Sequence, residues 1–298
     1  MGVKFNFLNV GDGDCTIVEF PERIVESTRQ EKDARVMMVD INHHEYHEEY
    51  EHIIDYYKKN IGSKPIFRFI VTHPQKDHIT GIKNLFEENG INILNFWDLE
   101  HSFEPDKTGS FWDEYKEDWN KYAELRKQSF VRRYWDEDSG IKYWDEDKIE
   151  ILSPSKGLHH FVHYNEDDEE RDSVQIGQLI NNLSYVLLIR VNSLKILLAA
   201  DAEEQCWEYI IKQHADKIGD IDILKAAHHG RLTGVHEEAV KLMKPKHLIF
   251  SMSNAISQSD YSAEEEYKRI VPGVSILKTS DLGSIILDCD FDGTITHV

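Results

Sequence analysis

The sequence predicts an α/β protein of layered sheets, on three observations. Short apolar or alternating runs recur along all 298 residues, segments with apolar side chains at helical spacing separate them, and no repeat of solenoid length is present. Val3, Phe5 and Phe7 alternate with polar neighbours, Cys15 to Phe20 forms a second run and Arg35 to Ile41 a third, with Gly11-Asp12-Gly13-Asp14 as the turn between the first two. From Glu45 to Asn60 the residues Tyr46, Tyr50, Ile53, Ile54 and Tyr57 recur at helical spacing, and Ile61-Gly62 supplies a stop. Ile66 to Val71 is a short run, apolar except for Arg68, bounded by Pro65 and His73-Pro74, as expected of a strand buried on both faces, and a helix is expected from Ile79 to Glu88.

Between Trp97 and Asp147 the composition turns aromatic and acidic, with an echo of Tyr134-Trp135-Asp136-Glu137-Asp138 in Tyr143-Trp144-Asp145-Glu146-Asp147. The expectation is an inserted helix plus a hairpin within one domain spanning residues 1–298. Regular alternation resumes at Ile149 to Leu152, Tyr185 to Val191 and Lys195 to Ala199, then a helix from Ala202 to Gln213 and a strand from Ile221 to Ala226. Helices at His236 to Met243 and Ala263 to Ile270 flank a strand at His247 to Ser251. Strands near Ser275 to Lys278, Ser284 to Asp288 and Thr294 to Val298 close the pattern.

Composition narrows the function. With 40% hydrophobic residues the chain can bury a full core, while 34 Lys and Arg against 55 Asp and Glu give a net charge of −21. That balance disfavours a broad cationic surface for duplex phosphates, so an anionic substrate needs a local attractor such as a metal ion. The longest apolar stretches fall far short of the roughly 20 residues needed to cross a bilayer, and the N-terminal residues lack a secretory h-region. No membrane span and a cytoplasmic location are the expectations. Cys15, Cys206 and Cys289 are widely spaced, with no C-x-x-C pair, and read as buried, reduced fillers.

The sharpest local signal is Thr72-His73-Pro74-Gln75-Lys76-Asp77-His78 at the end of a buried strand. Imidazole nitrogen and carboxylate oxygen suit Zn²⁺ or Mn²⁺, and a turn between rigid elements can bring both to one ion. An isolated H-x-x-x-D-H string is also compatible with a plain polar turn. Three further strand ends add weight: Asp201 follows Ile196 to Ala200, His228-His229-Gly230 follows Ile223 to Ala227, and Asp40 follows Val36 to Val39. Chemistry-bearing residues at the carboxyl ends of strands are how α/β proteins assemble sites.

In order along the chain, Asn9-Val10-Gly11-Asp12-Gly13-Asp14, Val39-Asp40, His73 to His78 with Ile79-Thr80-Gly81, Asn182-Leu183-Ser184-Tyr185-Val186-Leu187, Leu197 to Glu203 and Ile223 to Gly230 form one set of motifs. With them the chain resembles the metallo-β-lactamase superfamily, and within it the hydrolase domain of the DNA-uptake protein ComEC and its stand-alone relatives. The resemblance implies a four-layer α/β/β/α sandwich of two mixed sheets with a metal site at one sheet edge. It also implies metal-dependent hydrolysis, with a phosphodiester favoured over another ester or thioester. The implied metal ligands are His73, Asp77, His78, Asp201 and His228, and an ion there lowers the pKa of bound water from 15.7 toward ~7. Asp77 would orient or deprotonate that water, and His73 or His229 would stabilise departing or equatorial oxygens.

The chain departs from the family pattern at Gln75, which stands where the superfamily has a second His and this subgroup usually has Asp. A middle histidine has no clear equivalent, although His159, His160 and His163 lie in the right interval. One tight ion and a weaker second are therefore expected. His43 and His47, an i, i+4 pair, read as a solvated helix face. The aromatic insertion fits packing or a protein partner better than base stacking, given its acidic neighbours. The substrate expected is single-stranded nucleic acid or a nucleotide, and the rival to an enzyme is a non-catalytic, partner-binding module that retains the fold.

Overall fold

The computed structural model describes residues 2–25, 30–44, 47–88, 90–105, 107–139, 147–163, 177 and 179–298. The N-terminal strands are β1 (Val3–Phe7), β2 (Thr16–Phe20), β3 (Arg23–Val25), β4 (Gln30–Lys32) and β5 (Arg35–Val39). They are followed by β6 (Ile66–Ile70), β7 (Phe96–Trp97), β8 (Val131–Arg132), β9 (Ile149–Ser153), β10 (Val186–Val191) and β11 (Leu194–Leu198). The last are β12 (Ile223–Lys225), β13 (His247–Phe250), β14 (Ser275–Lys278), β15 (Ile285–Cys289) and β16 (Ile295–His297). One sheet runs β16-β15-β1-β2-β5-β6-β7-β8 and the other β14-β13-β12-β11-β10-β9, while β3 and β4 pair only with each other. Both large sheets are mixed. Antiparallel pairing from β16 to β5 turns parallel from β5 to β8, and the second sheet is antiparallel from β9 to β11 and parallel from β11 to β14.

Period-2 alternation sorts side chains between three cores. Phe5, Phe7, Val18, Met37 and Ile70 from the first sheet meet Ile151, Leu187, Ile196, Leu198 and Ile223 from the second, which makes the layer between the sheets. Their neighbours in sequence, Ile17, Met38 and Phe69, face outward under α1 (Ile53–Tyr56), the turns after it and α3 (Gly109–Leu125). On the far side, Leu188, Leu197, Leu224 and Leu248 are covered by α5 (Glu204–Ile218), α6 (Glu237–Met243) and α7 (Glu264–Ile270). Two further helices are α2 (Lys76–Ile79) and α4 (Lys156–His163). The result is four layers, α/β/β/α.

The aromatic segment after Trp97 belongs to the first helical layer. β7 and β8 extend the sheet, and α3 places Tyr115, Trp119, Tyr122 and Leu125 in the outer core. These rings are buried, so they form no stacking platform. Of the expected hairpin and echo, residues 140–146 lie outside the described residues.

The helix expected from Glu45 begins only at Ile53, with the His52 ring capping it by accepting the Asp55 N–H; residues 45–46 lie outside the described residues. The reason is where the backbone hydrogen bonds go. Ile41 N–H donates to His78 O, His43 N–H to Thr80 O and Glu51 N–H to Asn9 O, so this stretch is tied to α2 and to the β1–β2 turn. His43 and His47 therefore share no helix face. His43 is buried, its ring against His52 at 4.5 Å. Among the described residues no helix is long and apolar enough to cross a membrane.

Candidate metal centre

Strand ends deliver the site. β5 ends in Asp40, β6 in Thr72 and His73, β11 in Ala200 and Asp201, and β12 in Lys225 and the His228-His229 turn, while α2 carries Asp77 and His78 in its first turn. The β1–β2 turn adds Asp14. Asp40, Ala200, His228 and His229 all have positive φ (59°, 47°, 50° and 59°), a left-handed conformation that costs non-glycine residues energy and concentrates at functional sites. At Gly230, φ is +92° and a Cβ would lie 2.5 Å from the Phe250 ring, so only glycine lets the two histidines turn back over the sheet edge.

Asp201 is the hub. Its Oδ1 lies 3.4 Å from His78 Nε2, and its Oδ2 lies 3.4 Å from His229 Nε2, 3.6 Å from His228 Nε2 and 3.8 Å from His73 Nε2. Asp77 closes the group, 3.2 Å from His229 Nε2 and 4.0 Å from His78 Nε2. Both Asp201 oxygens and the Nε2 atoms of His73 and His78 are buried without a hydrogen-bond partner among the described residues. Buried polar atoms left unpaired are costly, and here they all point at one place. Asp14, His78, Asp201 and His229 each bring a ligand atom to within 4.8 Å of the others. These donors fit a divalent cation.

A carboxylate or hydroxyl oxygen lies near Nδ1 of each ring, in hydrogen-bond geometry for His73, His78 and His228 and only in ion-pair range for His229. Asp40 Oδ2 is 2.8 Å from His78 Nδ1, Asp14 Oδ1 is 3.4 Å from His229 Nδ1, and Glu203 Oε1 is 3.0 Å from His228 Nδ1. His73 Nδ1 has Thr72 Oγ1 at 3.1 Å and Ser184 Oγ at 3.4 Å. Such backing fixes the tautomer and leaves the Nε2 lone pair for an ion. Asp14 is also held by the buried Lys225 ammonium at 2.7 Å, so we read it as the orienting partner of His229 more than as a ligand.

The electrostatics follow from crowding in a dry site. Burial opposes ionisation of Asp201, yet His229, His78 and His228 hold its carboxyl well below the usual range. Asp77 is lowered likewise, against burial, by His78 and His229. Burial, then the neighbouring His78, push His73 down to about 3. His78 goes the other way, because the carboxylates of Asp201, Asp40 and Asp77 outweigh its burial.

Of the six residues picked out in the sequence, His73, Asp77, His78, His228 and His229 thus gather around the sixth, Asp201. Of the adjacent pair, His228 Nε2 approaches Asp201 alone, whereas His229 Nε2, like His78 Nε2, lies near both Asp77 and Asp201. Asp14 and Lys225 were not singled out. Their signals were the second Asp of the Gly-Asp-Gly-Asp turn just before β2 and a lysine three residues before the His pair. His159 stands apart, with its Nε2 2.7 Å from Glu100 O and its ring against Trp135, and His160 is exposed. The side chain of His163 lies outside the described set.

No family model matches the sequence, and no curated protein matches it significantly. Solved structures do resemble it. A mutant of the CmlA β-hydroxylase aligns over 95% of this chain and 54% of its own, at 14% identity and a TM-score of 0.52. Igni18, described as a novel metallo hydrolase from the archaeon Ignicoccus hospitalis, aligns over 96% of this chain and 98% of its own, at 14% identity and a TM-score of 0.46. A long form of RNase Z from yeast aligns over 98% of this chain and 41% of its own, at 13% identity and 0.42. The chain thus spans about half the length of two of these three. Together with the layer order, the likeness shows the fold: a metallo-β-lactamase-like α/β/β/α sandwich.

Proposed function

We propose that this chain is a metal-dependent hydrolase that cleaves phosphodiester bonds in a single-stranded nucleic acid, a strand end or a small nucleotide. One observation carries the reading: four imidazole Nε2 atoms converge on the buried, unpaired carboxylate of Asp201, and the rings of His73, His78 and His228 are hydrogen-bonded at Nδ1. His78, Asp201, His229 and Asp77 would hold a divalent ion, Zn²⁺ or Mn²⁺, which when bound polarises a phosphoryl oxygen and acidifies a water toward a pKa of ~7.

The chain's own residues do the rest. Asp77 is the only carboxylate of the group with about a third of its side chain exposed, which suits it to orient an incoming water and accept its proton. His228 is the least buried histidine of the four, at 21%, and would stand on the side from which substrate enters. His73, fully buried beneath Asp201, lines the floor and keeps bulk water out. The phosphodiester choice is supported by the motif resemblance to the ComEC hydrolase domain, and the single-stranded or small substrate by the net charge of −21. Elemental analysis of protein purified without chelator, followed by assays on bis-p-nitrophenyl phosphate and single-stranded DNA with added Mn²⁺ or Zn²⁺, tests the reading. Bound metal and metal-stimulated cleavage are expected; absence of affinity for either ion would overturn it.

A further inference from the structure

Gln75 occupies the position where a metal ligand is expected, yet its side chain is committed elsewhere. Its Nε2 donates to Asn181 Oδ1 at 2.7 Å and to Gly177 O at 3.1 Å. Asn181 Nδ2 in turn donates to Glu203 Oε1 at 3.1 Å, and the same Glu203 oxygen lies 3.0 Å from His228 Nδ1. Asn181 and Glu203 are both buried, so these bonds are made in a dry setting where leaving one unmade is costly. Four separate segments meet in this chain: the start of α2, the stretch before β10, the start of α5 and the turn after β12.

The polarity of the chain determines its residues. A carboxylate only accepts, so Glu203 takes an N–H from Asn181, and it lies 3.0 Å from His228 Nδ1, which is hydrogen-bonded to Thr233 Oγ1. Asn181 must therefore turn its oxygen toward residue 75, and residue 75 must offer a donor. Aspartate or glutamate there would set an anion against a carbonyl oxygen. Glutamine meets the requirement, which gives a reason for the departure at this position other than loss of a ligand. At the far end, Thr233 Oγ1 is hydrogen-bonded to His228 Nδ1 at 2.6 Å with Glu203 Oε1 3.0 Å away, and a proton kept on Nδ1 between these oxygens leaves the Nε2 lone pair toward Asp201.

We propose that Gln75, Asn181 and Glu203 are positioning residues, a relay that fixes the ring orientation and tautomer of His228 at the mouth of the Asp201 site. The functional part of this inference rests on the hydrolase reading; the structural part does not. The test uses Gln75→Glu, which keeps shape and removes the donor, Glu203→Gln and Asn181→Leu, each checked by circular dichroism for retained fold. The first readout is the long-range ¹H–¹⁵N spectrum of the histidine rings, with the His228 signals assigned by their loss in His228→Ala. The wild-type protein should show His228 protonated at Nδ1, and Gln75→Glu and Glu203→Gln should shift that signal. Unchanged His228 signals in both variants overturn the relay whatever the protein hydrolyses. The second readout is bis-p-nitrophenyl phosphate turnover with Mn²⁺. There kcat should fall about 10- to 100-fold with KM little changed, and Gln75→Glu should cost nothing more once His228 is alanine. An equal loss in both backgrounds would show that Gln75 does not act through His228. A wild-type protein without turnover would refute the hydrolase reading, and the ring spectrum would still decide the relay.

Discussion

Asp40 Oδ2 lies 2.8 Å from His78 Nδ1, while the two Asp40 oxygens also accept the Thr72 backbone N–H and hydroxyl at 2.7 Å each. The carboxylate is thus anchored to the end of β6 and anchors the ring in turn, which presents His78 Nε2 to Asp201. Asp40→Asn should keep the fold and weaken metal binding about 10- to 100-fold, as loss of such a backing group does elsewhere. Competition titration against a chelator measures this, and an unchanged affinity would remove Asp40 from the site.

Asp77→Ala and His78→Ala should both abolish hydrolysis, but they should differ in stability. Asp77 is partly exposed but is held low by His78 and His229, so its loss should lower the melting temperature of the metal-free protein modestly. His78 is fully buried between Asp40 and Asp201. Alanine there leaves the buried Asp40 carboxylate without its cation and takes one of three from Asp201, at a cost of about 3–5 kcal/mol in the metal-free state. Equal melting temperatures for the two variants would contradict this account of the apo site.

Lys225 gives a similar test on the other wall. Its ammonium is buried 2.7 Å from Asp14, and it and His229 together hold the Asp14 carboxyl below the usual range against its burial. Lys225→Met should destabilise by about 3–5 kcal/mol, and adding Asp14→Asn should recover part of the loss because the stranded charge is then gone. Denaturant unfolding of the two single variants and the double variant decides it.

The fold was legible where local and tertiary demands agree. Runs such as Ile66 to Ile70 and Leu194 to Leu198 are apolar but for Arg68 and Lys195 because both faces of their strands are covered, so pattern and burial largely coincide. The stretch from Asp40 to His52 misleads because Tyr46 and Tyr50 have helical spacing while neighbouring backbone donors are spent on α2 and the β1–β2 turn. That commitment lies between distant segments and leaves no local period. The residues around Asp201 could be picked out because they lie just beyond strand ends, Asp77 and His78 on the short helix that follows β6, but the roles of His228 and His229 could not. Two adjacent imidazoles with left-handed backbones point to different partners, Glu203 and Asp14, which only the folded chain brings near.

Away from the metal centre, Asp136 ties the segment after β8 to α5. It accepts from Tyr209 Oη and His214 Nε2, the latter at 3.0 Å. Burial raises its pKa, but the bonds from His214, Glu137 and Tyr209 prevail and hold it below its ordinary 3.8. A carboxyl lowered on folding contributes stability above its unfolded pKa and loses it as the pH falls through the folded one. Asp136→Asn should therefore cost about 1.5–3 kcal/mol at pH 7, and the two melting temperatures should converge in acid below the ordinary carboxylate range. A gap that stays constant with pH would mean that the charge of Asp136 is not what matters.

The last prediction concerns metal stoichiometry. If Gln75 were simply a missing ligand, Gln75→Asp would complete a second position and raise binding toward two ions per chain. The geometry argues otherwise, because the amide is turned toward Asn181 and Gly177, and an aspartate there would face the Asn181 carbonyl oxygen that Glu203 forces into place. Gln75→Asp should therefore bind one tight ion, as we expect of the wild type, and should lose turnover. Gln75→His should likewise gain no tight second ion, since its ring would have to break the bond to Asn181 before reaching Asp201. Inductively coupled plasma analysis after dialysis against Zn²⁺ or Mn²⁺ gives the count. Two ions in Gln75→Asp together with one in the wild type would mean that the relay yields easily and that residue 75 is a ligand position after all.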